Sequence, residues 1–185
     1  MGTSDEIKRP VESMLSLLKS DFAADRRNPK GLLICALYRI AQACVNAPPL
    51  MRPIAILYII LYKIVTECVL GTEIHWRAKI GPSLRVYHGY GLVVNSGSIL
   101  GARVVLRHGV TIGSKSESAV GAPVVGDDVD FGASAIVIGE ITIGSRSIIG
   151  AGAVVTKNVP SDSIVVGNPA RILQNTRPDG GEFES

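Results

Sequence analysis

Between Val125 and Val155 the hydrophobic positions recur every six residues: Val125, Phe131, Val137, Ile143, Ile149 and Val155. Glycine directly follows Val125, Phe131, Ile143 and Ile149, and a second, mostly small or aliphatic set lies four residues on, at Val129, Ala135, Ile141, Ser147, Ala153 and Val159. A period of six fits neither a helix, at about 3.6, nor a strand of simple alternation. It fits very short strands joined by tight turns, each sending one side chain into a narrow prism, as in a parallel β-helix. The same beat runs upstream through Ile74, Ile80 and Val86, then through Val94, Leu100, Leu106 and Ile112. The phase slips by two residues between Val86 and Val94, and His88 sits in the slip. Ile112 and Val125 are thirteen apart, one more than two repeats need, and the small polar stretch 114–123 predicts a loop thrown out of the coil. At about eighteen residues per three-sided turn, residues 73–159 predict roughly four to five turns, stable only when stacked.

Before the coil the period changes to that of helices. Residues 11–27 predict an amphipathic helix with Val11, Leu15, Leu18 and Phe22 on one face and Lys19, Asp21 and Asp25 elsewhere, ended by Asn28 and Pro29. A second helix is expected from Gly31 to about Asn46, closed by Pro48 and Pro49, and a third from Pro53 to about Leu70, stopped by Gly71. Ile54 to Tyr62 is unbroken apolar sequence, interrupted afterwards by Lys63 and Glu67 one turn apart. That span falls short of the roughly 20 apolar residues of a membrane crossing. It suits a buried or subunit-contacting helix, with association at a membrane surface as the alternative. The fold class is therefore mainly β with an N-terminal α region: helices over 1–71, a coil over 72–173 and a disordered tail over 174–185.

Composition adds few constraints. A net charge of +3 without a basic run argues against nucleic acid as a partner and leaves room for an anionic ligand. Cys35, Cys44 and Cys68 all precede the coil and form no paired motif, which suits buried free thiols in a reducing, cytoplasmic compartment. Asp5, Glu6 and the lack of an early apolar core speak against a signal peptide.

No P-loop, GxSxG or HExxH motif is present. The histidines are His75, His88 and His108, spaced by thirteen and twenty residues. A zinc site of three imidazoles is one reading. The spacings, however, predict unrelated levels and faces within one chain, so no metal is expected to be required. A single histidine acting as a base is the other reading. His88 is best placed for it, among the tyrosines Tyr87 and Tyr90 and permissive glycines, and Glu73, fifteen residues earlier, could sit one rung below to orient the ring.

These residues resemble a known family. Residues 73–81 (EIHWRAKIG), 107–113 (RHGVTIG) and 166–172 (VGNPARI), with the hexapeptide core, look like the serine acetyltransferase group of hexapeptide acyltransferases, and residues 36–40 (ALYRI) extend the likeness into the helices. Residues 62–68 (YKIVTEC), 71–74 (GTEI) and 88–95 (HGYGLVVN) are more similar to the branch of colanic acid and exopolysaccharide acetyltransferases. The resemblance implies a left-handed coil, acetyl-CoA as donor, and homotrimers with sites between subunits, which the helices could join into hexamers. It also implies His88 as base with Glu73 in place of the family's Asp, and acetyl-CoA contacts at Ser114, Ala133, Ala151, Thr156 and Lys157. Two departures stand out. Tyr87 replaces an Asp that precedes the base in serine acetyltransferases, and Gly121 and Ala122 stand where an Arg-His pair precedes the proline. A zwitterionic acceptor thus lacks its partners, and a sugar hydroxyl becomes the expected acceptor, with Tyr87, Tyr90 and His108 as lining residues. Serine acetylation and a non-catalytic scaffold remain the alternatives.

Overall fold

The computed structural model describes residues 13–45, 47–115 and 121–174. Helices α1 (Met14–Ala24), α2 (Pro29–Cys44) and α3 (Arg52–Lys63) lead into fifteen short strands, β1 (Thr72–Ile74) to β15 (Arg171–Gln174). The strands stack into three sheets that form the sides of a prism: β1-β4-β7-β10-β13, β2-β5-β8-β11, and β3-β6-β9-β12-β14-β15. All pairings are parallel except that of β15 with β14, which closes the coil. Four complete turns, β1 through β12, are followed by a shorter one in which Val159 bridges to Ile143.

The six-residue series is the axis of the core: Val125, Phe131, Val137, Ile143, Ile149 and Val155 are all at most 2% exposed. The second set is buried beside it, including Ser147, whose hydroxyl donates to the Pro160 carbonyl. One register differs from the sequence reading. Leu100 pairs with Val125, so Ile112 and Val125 are consecutive core positions, one repeat apart. The loop therefore absorbs seven residues rather than one, since thirteen less six is seven. Residues 116–120 of that stretch lie outside the described residues, as do 175–185 of the expected disordered tail and residues 11 and 12 of the first helix.

The helices seal the open end of the prism. A coil's first rung leaves its outward carbonyls without a strand to bond. Here side chains of the helices meet them: Tyr62 Oη donates to Ile74 O (2.5 Å), Tyr38 Oη to Ala78 O (2.6 Å), Arg39 Nη1 to Ile80 O (2.6 Å), Arg39 Nη2 to Gly81 O (2.6 Å) and Asn28 Nδ2 to Val86 O (2.8 Å). Gly31 allows α2 to lie this close, because a Cβ there would collide with the Val86 carbonyl oxygen. Arg39 is itself held by Asp21 (2.8 Å), and Asp21 also accepts from Leu84 N (2.9 Å). Helices and coil share one core.

This inverts the face expected for α1. Asp21 is 2% exposed, whereas Leu15 and Phe22 are 64% and 55% exposed, because the buried Arg39 demands a carboxylate. Asn28, expected to end the first helix, instead caps the second, its Oδ1 accepting from Gly31 N with Pro29 at the first helical position. The third helix continues through a π-helical turn at Ile64–Val69, with Lys63 and Glu67 paired at 3.7 Å. Its apolar side is bare in the single chain: Ile54, Leu57, Ile60, Leu61 and Ile64 are all more than half exposed, as is Leu50 in the turn before it.

Candidate active site

The corner where the third sheet passes into the first carries most of the predicted chemistry. On regular rungs this corner is a two-residue turn with a left-handed residue, Gly109, Ser134 or Gly152, and the turns stack directly. Gly91 N donates to Gly71 O, Gly109 N to Tyr90 O, Ser134 N to His108 O and Gly152 N to Ala133 O. The regular turn residue of the second rung is Gly91, so His88 and Gly89 are the two extra residues of the phase slip. His88 has φ 67°, a conformation uncommon for a side chain with a Cβ, and its ring is exposed. Gly89 is held from beneath: a Cβ there would lie 2.7 Å from Ile34 Cδ1, and its carbonyl accepts from Thr72 Oγ1 at 2.7 Å. The extra residues thus bulge outward on a fixed base and present the imidazole to solvent.

His108 stands on the next rung, its ring 5.9 Å from that of His88 and steeply inclined at 71°. This corrects the expectation of unrelated levels. The insertion lengthens this turn to twenty residues, with Arg85 paired to Val105, so a spacing of twenty brings 88 and 108 to the same edge. His75 lies elsewhere, stacked on Trp76 at 3.9 Å, and burial together with the Arg77 and Lys63 charges lowers its pKa from the ordinary 6.5. Among the described residues no group of three metal-ligating side chains converges.

Glu73 is the middle residue of β1, exposed on the outer face of the first sheet and immediately after Thr72, which bonds the His88 corner. It lies one rung below His88, and no hydrogen bond or ion pair joins the two in the free chain. Of the residues expected to contact acetyl-CoA, Ala133 and Ala151 occupy the same edge as His88, further along the stack. Ser114, Thr156 and Lys157 follow β7 and β13 and fall on the neighbouring edge, with Thr156 and Lys157 exposed. The first sheet's outer face runs between the two edges, with Glu73, Val93, Thr111, Ile136 and Val154 in register along it. Tyr90 is 63% exposed, and Tyr87 is half-buried under the Arg107 guanidinium, 5.9 Å from its ring. One residue that sequence reading passed over joins this corner from α2: the Lys30 ammonium lies 3.1 Å from the centre of the Tyr90 ring. No periodicity marks it, because it enters from a helix sixty residues upstream.

No protein-family model matches the chain. Among curated proteins, an Escherichia coli K12 protein that carries the provisional name colanic acid biosynthesis acetyltransferase WcaB is 37% identical over 153 residues, covering 80% of this chain and 94% of that protein. The serine acetyltransferase of Mycobacterium tuberculosis is 41% identical over 123 residues, covering 64% of this chain and 53% of that protein. Among solved structures, soybean serine acetyltransferase apoenzyme superposes with a TM-score of 0.77 at 32% identity, over 87% of this chain and 69% of that one. A Brucella abortus serine acetyltransferase in complex with coenzyme A gives 0.75 at 30% identity, over 87% and 68%. With its parallel coil, its helical cap and a relative matched along nearly its whole length, the chain belongs to the serine acetyltransferase-like group of left-handed β-helix, hexapeptide-repeat acetyltransferases.

Proposed function

We propose that this acetyltransferase moves the acetyl group of acetyl-CoA to a sugar hydroxyl during exopolysaccharide or capsule synthesis, with His88 as general base. The observation that carries the reading is the two-residue bulge that lifts an exposed imidazole out of the six-residue repeat. His88 takes the proton of the acceptor hydroxyl as that oxygen attacks the thioester carbonyl. The carbon–sulfur bond breaks, and the proton passes from the imidazolium to the departing thiolate, so no covalent enzyme intermediate forms. Glu73, one rung below, steadies the cationic ring once acceptor and donor are bound, since catalytic hydrogen bonds often tighten only in the complex. Small residues at Ala133 and Ala151 leave room for the pantetheine arm along the edge, and Ser114, Thr156 and Lys157 meet the donor at the neighbouring edge. Tyr87, Tyr90 and His108 line the acceptor side.

Support for a sugar over serine comes from Tyr87, Gly121 and Ala122, which offer neither an ammonium partner nor a carboxylate clamp. The near full-length likeness to WcaB points the same way. The acting unit is a homotrimer with sites between subunits, in the cytoplasm. The bare apolar side of α3 supplies the surface for joining two trimers or for contact with the inner face of the membrane. Light scattering and vesicle sedimentation of the same preparation separate these two.

Thiol release from acetyl-CoA is the test. His88→Ala should lose about 10²–10⁴-fold in turnover while acetyl-CoA still binds; full activity in that variant ends the base assignment. Faster transfer to L-serine than to any glycan acceptor replaces the sugar reading with serine acetylation.

A further inference from the structure

Lys30 occupies a position that is unfavourable in several ways. It is the second residue of α2, where the positive end of the helix dipole disfavours a cation. Its Nζ is buried and has no hydrogen-bond acceptor, and it forms no ion pair among the described residues. Asp25 Oδ2, buried and also without a hydrogen bond, lies five residues away along the chain but outside ion-pair range of Lys30. Among the described residues the one partner of the ammonium is the face of the Tyr90 ring, 3.1 Å away. A ring face offsets only part of what a buried ammonium loses on leaving water.

The surroundings tie this cation to the reaction. Tyr90 follows His88 by two residues, and its carbonyl accepts from Gly109 N beside His108. Its ring lies 3.2 Å from where a Cβ on Gly71 would be, at the start of the strand that carries Glu73. Asn28, which caps α2, and Ile34 within it lie on either side of Lys30 and brace the backbone of the same corner at Val86 and Gly89.

On the acetyltransferase reading above, we propose that Lys30 is an anion subsite for the acceptor, and that the acceptor carries a carboxylate or phosphate close to the hydroxyl that is acetylated. Tyr90, exposed at the surface, turns aside, and an acidic oxygen takes the place of its ring against Nζ. A charge-assisted hydrogen bond to an oxyanion is stronger than the ring contact that it replaces. In the free enzyme Tyr90 keeps the ammonium covered, so the subsite holds its charge ready without a fixed counter-ion.

The test measures binding of three sugars to the full chain by calorimetry: methyl β-D-glucuronide, glucose 1-phosphate and methyl β-D-glucoside. At least one acid should bind about tenfold more tightly than the neutral glucoside, and which one does so distinguishes carboxylate from phosphate. Lys30→Met should bring the preference within about twofold and Lys30→Arg should keep it, with acetyl-CoA affinity unchanged in both variants. The inference is overturned if neither acid binds measurably, if acids and glucoside bind alike, or if the preference survives in Lys30→Met. Those outcomes leave sugar acetylation standing, whereas undiminished turnover in His88→Ala removes the reading beneath it.

Discussion

Between β8 and β12 each strand lies eighteen residues below its neighbour, Val124 on Thr142 and Asp130 on Ile148, whereas in the first turn Thr72 lies twenty below Leu92. The regular rungs add no residue to the repeat. Their inward side chains are buried, and at one corner Arg103 pairs with Asp128 and Arg146 with Asp162, each at 2.6 Å on the surface. Such exposed pairs contribute about 0–1 kcal/mol each. The first turn carries two residues too many and a helical cap made for it alone. The contrast shows what stacking permits: it fixes the backbone around a defect, and the defect holds an exposed side chain, His88, where no packing requires one.

The widest gap between the regions is expected in activity. His88 and Ser134 sit on the same edge, both left-handed, with φ 67° and 59°. Glycine at either position relieves the conformation and should raise stability by about 0.5–1 kcal/mol, read by thermal melting. Turnover should fall by about 10²–10⁴-fold in His88→Gly and stay near wild type in Ser134→Gly. Equal activity losses would mean that the bulge is only another turn.

Next in size is the cap. Arg39→Ala strands the buried Asp21 and frees two first-rung carbonyls, so a loss of about 3–5 kcal/mol is expected in denaturant unfolding. Disruption of the exposed pair by Arg146→Ala should cost less than about 1 kcal/mol. Comparable losses at the two sites would show that the helices add little to the coil's open end.

The smallest effect is a pH slope. His75 at the first rung has a lowered pKa, so the folded chain holds that proton less readily than the unfolded one. Its contribution is complete above about 6.5 and declines as the pH falls below that value. His75→Gln should flatten the acid side of the melting-temperature profile; an unchanged profile assigns the slope to other groups.

The six-residue period was legible because each rung repeats one physical demand, an apolar side chain every sixth position, and no distant residue alters it. The same logic exposed His88, since a slip in a strict period is visible without coordinates. The loop after Ile112 was only half legible: thirteen residues divide as two repeats plus one or as one repeat plus seven, and only the pairing of Leu100 with Val125 decides between them. The meeting of His88 with His108 needed the local turn length, which the insertion itself changes.

The helices were the opposite case. Their starts and stops follow from capping residues and proline, and so could be read with small errors at Asn28 and Pro29. Which face each one buries could not be read, because burial there answers to the coil's open carbonyls and not to hydrophobic period. Asp21 went inside with Arg39 while Leu15 and Phe22 stayed out. Lys30 reached Tyr90 by the same route. The sequence by itself determined the prism and the irregular corner at His88, since both arise from contacts at short, repeated spacing. Tertiary structure alone decided what the helices place against that corner, since those contacts join residues about sixty positions apart whose pairing obeys no period.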